Sequence, residues 1–148
     1  MDNLIIYTSP HHGNTEKIAQ AMARVLDAEL RFPHEIAPDE LGDYGLLGLG
    51  SGIYFWKHHH TILTLADRLY ASNEQSAFIF STRGSFPMWV GHRALKQRLR
   101  ERGFDIRGEF SCKGYDTYGL LKLVGGINKG RPNQEDLKDA RRFAEGLL

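Results

Sequence analysis

The chain has 148 residues, the size of one ordinary domain over residues 1–148 and enough to bury a core. Its net charge is +1, and its longest apolar run, Tyr44 to Leu49, is interrupted by Gly45 and far short of the ~20 residues of a bilayer crossing, so no membrane insertion is expected. The start, Met1-Asp2-Asn3, has no basic stretch, and the lone Cys112 permits no internal disulfide, which together predict a cytoplasmic protein.

In chain order, Leu4 to Tyr7 is a short branched apolar run suited to a buried strand. A polar loop, Thr8 to Asn14, follows. From Thr15 the period becomes helical, with Ile18, Ala19, Met22, Val25 and Leu26 on one face and an end near Asp27 or Ala28. Glu29 to Ile36 reads as a poorer strand, placed at an edge by Pro33. Pro38 to Leu41 is a turn or a single helical turn. Tyr44 to Gly50 is a third strand, apolar on both faces and hence buried on both.

The loop Ser51 to Lys57 is rich in aromatic residues. A helix follows with the stripe Ile62, Leu63, Leu65, Ala66, Leu69 and Tyr70. Ala77 to Ser81 is the fourth strand, Thr82 to Trp89 a loop, and Val90 to Arg102 a basic helix stopped by Gly103. Phe104 to Cys112 reads as the fifth strand. A glycine-rich connection, Gly114 to Pro132, leads to a last helix, Asn133 to Leu147, with Asn133 as its N-cap.

Five strand–helix units, the second helix vestigial, argue for a parallel sheet with helices on both faces. Ligands of such sheets bind beyond the carboxyl ends of the strands, at the switch point. That rule selects the loops at 8–15, 50–57 and 81–89. The first offers backbone N–H groups, the hydroxyls of Thr8, Ser9 and Thr15, and the Asn14 amide. Gly13 permits close approach, and the helix start favours an anion. It is neither a Walker A motif, lacking Gly-Lys-Ser/Thr, nor a dinucleotide fingerprint, having one glycine. A bare reading is a capped strand-to-helix turn, with Asn14 or Thr15 as the cap.

The run Tyr7-Thr8-Ser9-Pro10-His11-His12-Gly13-Asn14-Thr15 resembles the phosphate loop of flavodoxins, a hydroxyl cluster ending in Gly-Asn-Thr. The likeness extends to the two aromatic loops and the element order, nearly the whole chain. It implies a flavodoxin-like doubly wound five-stranded α/β sheet of order 2-1-3-4-5, non-covalent FMN, and electron transfer between redox partner proteins, a reductase and an acceptor. No nucleic acid and no metal are among the expected partners, and no side chain is expected as a catalytic acid or base.

By the same resemblance Ser9, Gly13, Asn14 and Thr15 bind the phosphate, and Thr8, His11 and His12 of the same loop are expected beside it. Ser51, Gly52, Ile53, Tyr54, Phe55 and Trp56 line one side of the flavin ring, with the peptide after Gly52 near N5. Ser81, Thr82, Arg83, Gly84 and Phe86 line the other side and the pyrimidine edge. Tyr115, in the segment that follows strand five on the same sheet edge, is expected from that position to close over the ring from the side. Pro10-His11-His12 stand where hydroxyl residues are common in the family. A phosphate beside them favours the imidazolium, so FMN affinity is expected to fall as pH rises through the histidine range; a dissociation constant unchanged between about pH 5.5 and 8 rejects this.

Carriers of this family are usually strongly acidic, and this chain is not. A small FMN-dependent oxidoreductase on the same fold, a quinone or protoporphyrinogen-type enzyme, is therefore the competing reading. A phosphoacceptor receiver domain needs acidic residues where Thr8-Ser9 and Gly50-Ser51 stand. His58-His59-His60 points around a helix rather than at one ion, and is expected at the wet rim of the site. Cys112 is expected to be a small buried residue. The charge is uneven: residues 1–82 carry five basic and ten acidic residues, and residues 83–148 fourteen and eight. Arg93, Lys96 and Arg100 share a helix face, either a solvated surface or a docking one.

Overall fold

A computed structural model describes residues 2–10, 12–72, 74–115 and 125–148. The elements are β1 (Asp2–Tyr7), α1 (Asn14–Leu26), β2 (Ala28–Arg31), β3 (Tyr44–Tyr54), β4 (Lys57–His58), α2 (His60–Asp67), β5 (Ser76–Arg83), α3 (Met88–Glu101), β6 (Asp105–Lys113) and α4 (Gln134–Glu145). Of two short 3-10 turns, Pro38–Asp43 stands where the vestigial helix was expected and Pro33–Glu35 replaces the end of the expected second strand. The parallel strands run in the order β2-β1-β3-β5-β6, which is 2-1-3-4-5 when those five alone are counted. The unforeseen β4 folds back antiparallel on the end of β3.

Strand alternation sorts the core into two layers. Leu4, Ile6, Leu47, Leu49, Ala77 and Ile79 face one way and pack with Ile62, Leu65, Leu95 and Leu99 of α2 and α3. Ile5, Tyr7, Phe78 and Phe80 face the other way and pack with Ile18, Met22, Ala140 and Ala144 of α1 and α4. On that second face β3 presents Gly48 and Gly50. A methyl group at either would fall 2.3–2.4 Å from the rings of Phe78 and Phe80. The Leu-Gly-Leu-Gly pattern is thus a packing pattern, in which strand β3 leaves room for the aromatic rings of β5.

Several boundaries differ from the sequence expectation, each for a local reason. Strand β2 stops at Arg31, because Pro33 opens a 3-10 turn in which Glu35 Oε1 accepts from the Phe32 N–H at 2.8 Å. Strand β3 runs four residues beyond Gly50, because β4 supplies a partner for Ile53 and Tyr54. Strand β5 reaches Arg83, since Thr82 and Arg83 still pair with Cys112 and Lys113. Helix α2 ends at Asp67, so Tyr70 leaves the expected apolar stripe and is exposed beneath the Arg102 guanidinium. Helix α4 begins as expected: Asn133 Oδ1 accepts from the Asp136 N–H at 3.0 Å, and the Asp136 carboxylate accepts from the Asn133 N–H at 2.8 Å.

Candidate functional site at the carboxyl end of the sheet

The loop after β1, the β3–β4 hairpin, the end of β5 and the end of β6 all emerge at the same edge of the sheet. In the first, the N-cap of α1 is Gly13, at φ 65°, with no side-chain bond of its own. Neither Asn14 nor Thr15 caps the helix. His12, at φ 57°, is also left-handed. Ser9 Oγ accepts from the Glu16 N–H at 3.2 Å, which fastens the loop over the first helical turn. His11 lies outside the described residues.

Two expected phosphate ligands have their side chains turned elsewhere. The Asn14 amide donates to the Tyr115 carbonyl at 2.8 Å, and Thr15 Oγ1 lies 2.9 Å from Thr82 Oγ1 in a buried pair. Besides the Thr8 and Ser9 hydroxyls, the loop offers an anion its backbone: the N–H groups of Asn14 and Thr15 lie in the first turn, where no intrahelical acceptor exists.

Tyr115 is gripped from several sides. Its N–H donates to the Arg131 carbonyl at 2.9 Å, its hydroxyl donates to the Gly125 carbonyl at 2.9 Å, and its ring lies 4.4 Å from that of His12. Gly114 makes this possible, because a methyl group there would come within 2.7 Å of Asn14 Nδ2. Arg131 is itself held by a two-pronged ion pair to Asp136, at 2.6 and 2.7 Å. Burial raises the Asp136 carboxyl, but the bonds from Arg131 and the Asn133 N–H outweigh it and hold the group below its usual range.

The aromatic segment is a two-residue hairpin, with Tyr54 opposite Lys57. Phe55 (φ 49°) and Trp56 (φ 67°) both sit in the left-handed region, as a type I′ turn requires, at positions that usually hold asparagine and glycine. They are also 77% and 58% exposed. Trp56 meets Phe86 edge-on at 5.7 Å. Ile53 turns away from this tip and packs on Gly91 of α3, where a methyl group would lie 3.0 Å from its Cδ1. The Tyr54 ring lies across Gly52 and edge-on to His59.

Ser51 and Ser81, expected beside the ring, are fully buried beneath the sheet edge. The Ser51 hydroxyl donates to the Gly52 carbonyl at 2.6 Å and accepts from the His59 N–H at 2.9 Å. Ser81 belongs to a network that no motif announced. Its Oγ lies 2.7 Å from His92 Nε2 and 2.8 Å from Ser111 Oγ, and His92 Nδ1 lies 3.1 Å from Glu109 Oε1. Glu109 also accepts from Lys96 at 2.7 Å. Serine, histidine and carboxylate stand in the order of a nucleophilic triad, but Ser81 is sealed within β5, where no substrate reaches it. The network ties α3 to β5 and β6.

Burial, helped by the nearby Lys96 and Arg83 charges, pushes His92 down to about 4 despite the opposing Glu109. Burial beside His92 takes His58 to about 3. His58 is therefore not at a wet rim: it is buried, with Nε2 donating to the Phe80 carbonyl at 2.9 Å. His59 Nδ1 meets Thr61 at 2.8 Å, so the three consecutive histidines diverge. Cys112 is buried and its thiol pushed up to about 12, mainly by that burial.

At the end of β5 the Arg83 carbonyl accepts from the Gly114 N–H at 2.9 Å, and the Gly84 carbonyl accepts from Asn128 Nδ2 at 3.4 Å. Arg83 Nε is buried without a hydrogen-bond partner among the described residues. Such a donor is costly to leave unpaired, so it marks a place where an acceptor is expected.

The family model described as Flavodoxin domain matches residues 4–101. The chain belongs to the flavodoxin family. An uncharacterized protein of Methanocaldococcus jannaschii is 48% identical over 150 residues, which cover 100% of this chain and 99% of that one. Oxidised flavodoxin 2 from Bacillus cereus has the same fold with a TM-score of 0.70 at 19% identity, over 97% of this chain and 95% of its own. A Fusobacterium nucleatum flavodoxin bound to flavin mononucleotide gives a TM-score of 0.68 at 11% identity, over 99% and 97%.

This flavodoxin-family chain builds its site edge partly from residues that sequence reading passed over. Asn128 and Arg131 come from the long connection, and His92 and Glu109 lie under the edge. Gly114 was the one available signal, a glycine directly after a strand. Residues 116–124 of the glycine-rich connection lie outside the described residues.

Proposed function

We propose that the chain binds FMN at the carboxyl edge of its sheet and carries electrons between redox proteins. The observation that carries this reading is the convergence of an anion-receptive helix start at Gly13–Thr15, an exposed aromatic hairpin, and a buried Arg83 Nε with no acceptor among the described residues. The donors suit the group. Backbone N–H groups and the hydroxyls of Thr8 and Ser9 take a phosphate monoester, and Phe55 or Trp56 offers a flat apolar wall to a ring. Arg83 Nε suits a carbonyl or ring nitrogen at the polar edge.

The flavin would supply reversible one- and two-electron chemistry. The chain's own residues bind, orient and shield. Asn14 and Tyr115 lock the loop after β1 to the end of β6, and Thr15 and Thr82 tie it to β5, so the three sides of the site keep fixed spacing. An arginine near the ring favours added negative charge there and raises the second reduction potential.

The test is a visible spectrum and an FMN titration of the purified protein, followed by assays with NADH, NADPH and quinones. Flavin uptake without turnover supports a carrier. Turnover with a small acceptor replaces it with an FMN-dependent oxidoreductase of the quinone or protoporphyrinogen type, a reading favoured by the near-neutral charge of +1. Failure to take up FMN rejects both.

A further inference from the structure

The basic helix divides its charges unequally. Lys96 is paired with Glu109, Arg98 with Asp67 at 3.1 Å, and Arg102 with the Tyr70 hydroxyl. Arg93 and Arg100 have no such partner among the described residues. Positions 89, 93, 96 and 100 fall on one helical face. There Trp89, 67% exposed, and the two free arginines line a shallow groove of about 370 Å³ with Lys96, Gln97 and Glu101.

This face is not isolated. Helix α3 packs against β4, so its first turn lies beside the Phe55–Trp56 hairpin, and Phe86, which touches Trp56, stands one residue before its N-cap, Pro87. Three exposed aromatic rings, Trp56, Phe86 and Trp89, therefore lead from the site edge onto a strip of unpaired guanidinium groups. Tryptophan and arginine together are the side chains that most often anchor protein interfaces.

We propose that this strip, from Trp56 and Phe86 along Trp89, Arg93 and Arg100, is the docking surface for an acidic redox protein. The inference rests on the electron-carrier reading and names the partner's chemistry: carboxylates to meet Arg93 and Arg100 around an apolar centre to meet the rings. Charge decides between occupants. A net charge of +1 gives the whole molecule little pull on a polyanion such as nucleic acid, and the acidic half of the chain opposes an anionic membrane. A local cationic strip in a nearly neutral molecule instead orients one partner patch.

The probe is a small acidic iron–sulfur ferredoxin, with a basic cytochrome c as its counterpart. Binding to the flavin-free protein is read by calorimetry, and electron transfer to the FMN-loaded protein by stopped flow. For the ferredoxin we expect R93E/R100E to weaken binding and slow transfer at least tenfold, and raising salt from about 20 to 500 mM to do the same in the wild type. Trp89→Ala should weaken binding about fivefold without changing the salt dependence. Circular dichroism and FMN titration of the variants verify that fold and site are intact.

The proposal is overturned if charge reversal leaves ferredoxin binding unchanged, or if the cytochrome binds as tightly. It is equally overturned if phosphatidylglycerol vesicles or a DNA duplex bind through Arg93 and Arg100 and the ferredoxin does not, or if those arginines hold a low-salt dimer. Ferredoxin binding that depends on the strip in a protein refusing FMN would sink the carrier reading and leave the surface standing. FMN uptake without ferredoxin binding would do the reverse.

Discussion

Arg83 and His92 illustrate two uses of a buried polar side chain. Arg83 keeps a donor with no acceptor among the described residues at the site edge, whereas His92 is satisfied on both nitrogens. Arg83→Ala is expected to weaken FMN binding by about tenfold or more, as for one lost bond to a charged group, and to lower the second reduction potential. A titration and a spectroelectrochemical measurement check both, and unchanged values would exclude Arg83 from the site.

His92 and His58 bear on stability instead. Their folded values of about 4 and about 3 lie below the ordinary 6.5, so between those limits the unfolded chain binds more protons than the folded one. Stability is then complete above the ordinary value and is lost as pH falls. Glu109 acts in the same direction at lower pH: burial raises its carboxyl, but Lys96 and His92 outweigh it and hold it down. The melting temperature should drop steadily from about pH 7 to 4.5. His92→Gln, which cannot titrate, should melt lower at neutral pH but show a flatter slope.

The element that carries most information is the β3–β4 hairpin. Two bulky residues in left-handed conformation cost on the order of 1–2 kcal/mol each, and their exposure returns little of it by burial. Strain held at an exposed aromatic tip is explained if the tip contacts a ligand. Phe55→Asn with Trp56→Gly should therefore raise the melting temperature by a few degrees while weakening FMN binding more than tenfold. A variant that gains stability and keeps full affinity would make the turn merely strained.

Strand β3 was legible as a doubly buried strand because Leu47 and Leu49 mark one face and Leu46 the other. The sequence did not reveal that Gly48 and Gly50 exist to admit Phe78 and Phe80, since that contact is set across two strands far apart in the chain. The hairpin was missed for a related reason: Phe-Trp is a poor type I′ pair, so no turn signal marked it.

For the molecule as a whole, ligand linkage gives a direct measurement. If FMN binds only the folded chain, a hundredfold excess over its dissociation constant contributes about 2.7 kcal/mol. For a chain of this length that is a rise of roughly 5–10 °C in melting temperature. No shift with FMN would count against the site, whatever the likeness of fold.

The sequence by itself determined the alternation of strands and helices, the parallel sheet, and the three loops at its carboxyl edge. These follow from local periodicity and from the few ways such units pack. It also marked Asn133 as a cap and Gly103 as a stop, because capping is decided within one turn of helix. Only the tertiary structure decided which side chains remain for a ligand. Asn14, Thr15, Ser51 and Ser81 are by position expected beside a cofactor, yet each is engaged by a residue on a different element. A side chain's type is local, but whether its hydrogen-bonding capacity is already used depends on neighbours brought there by the fold.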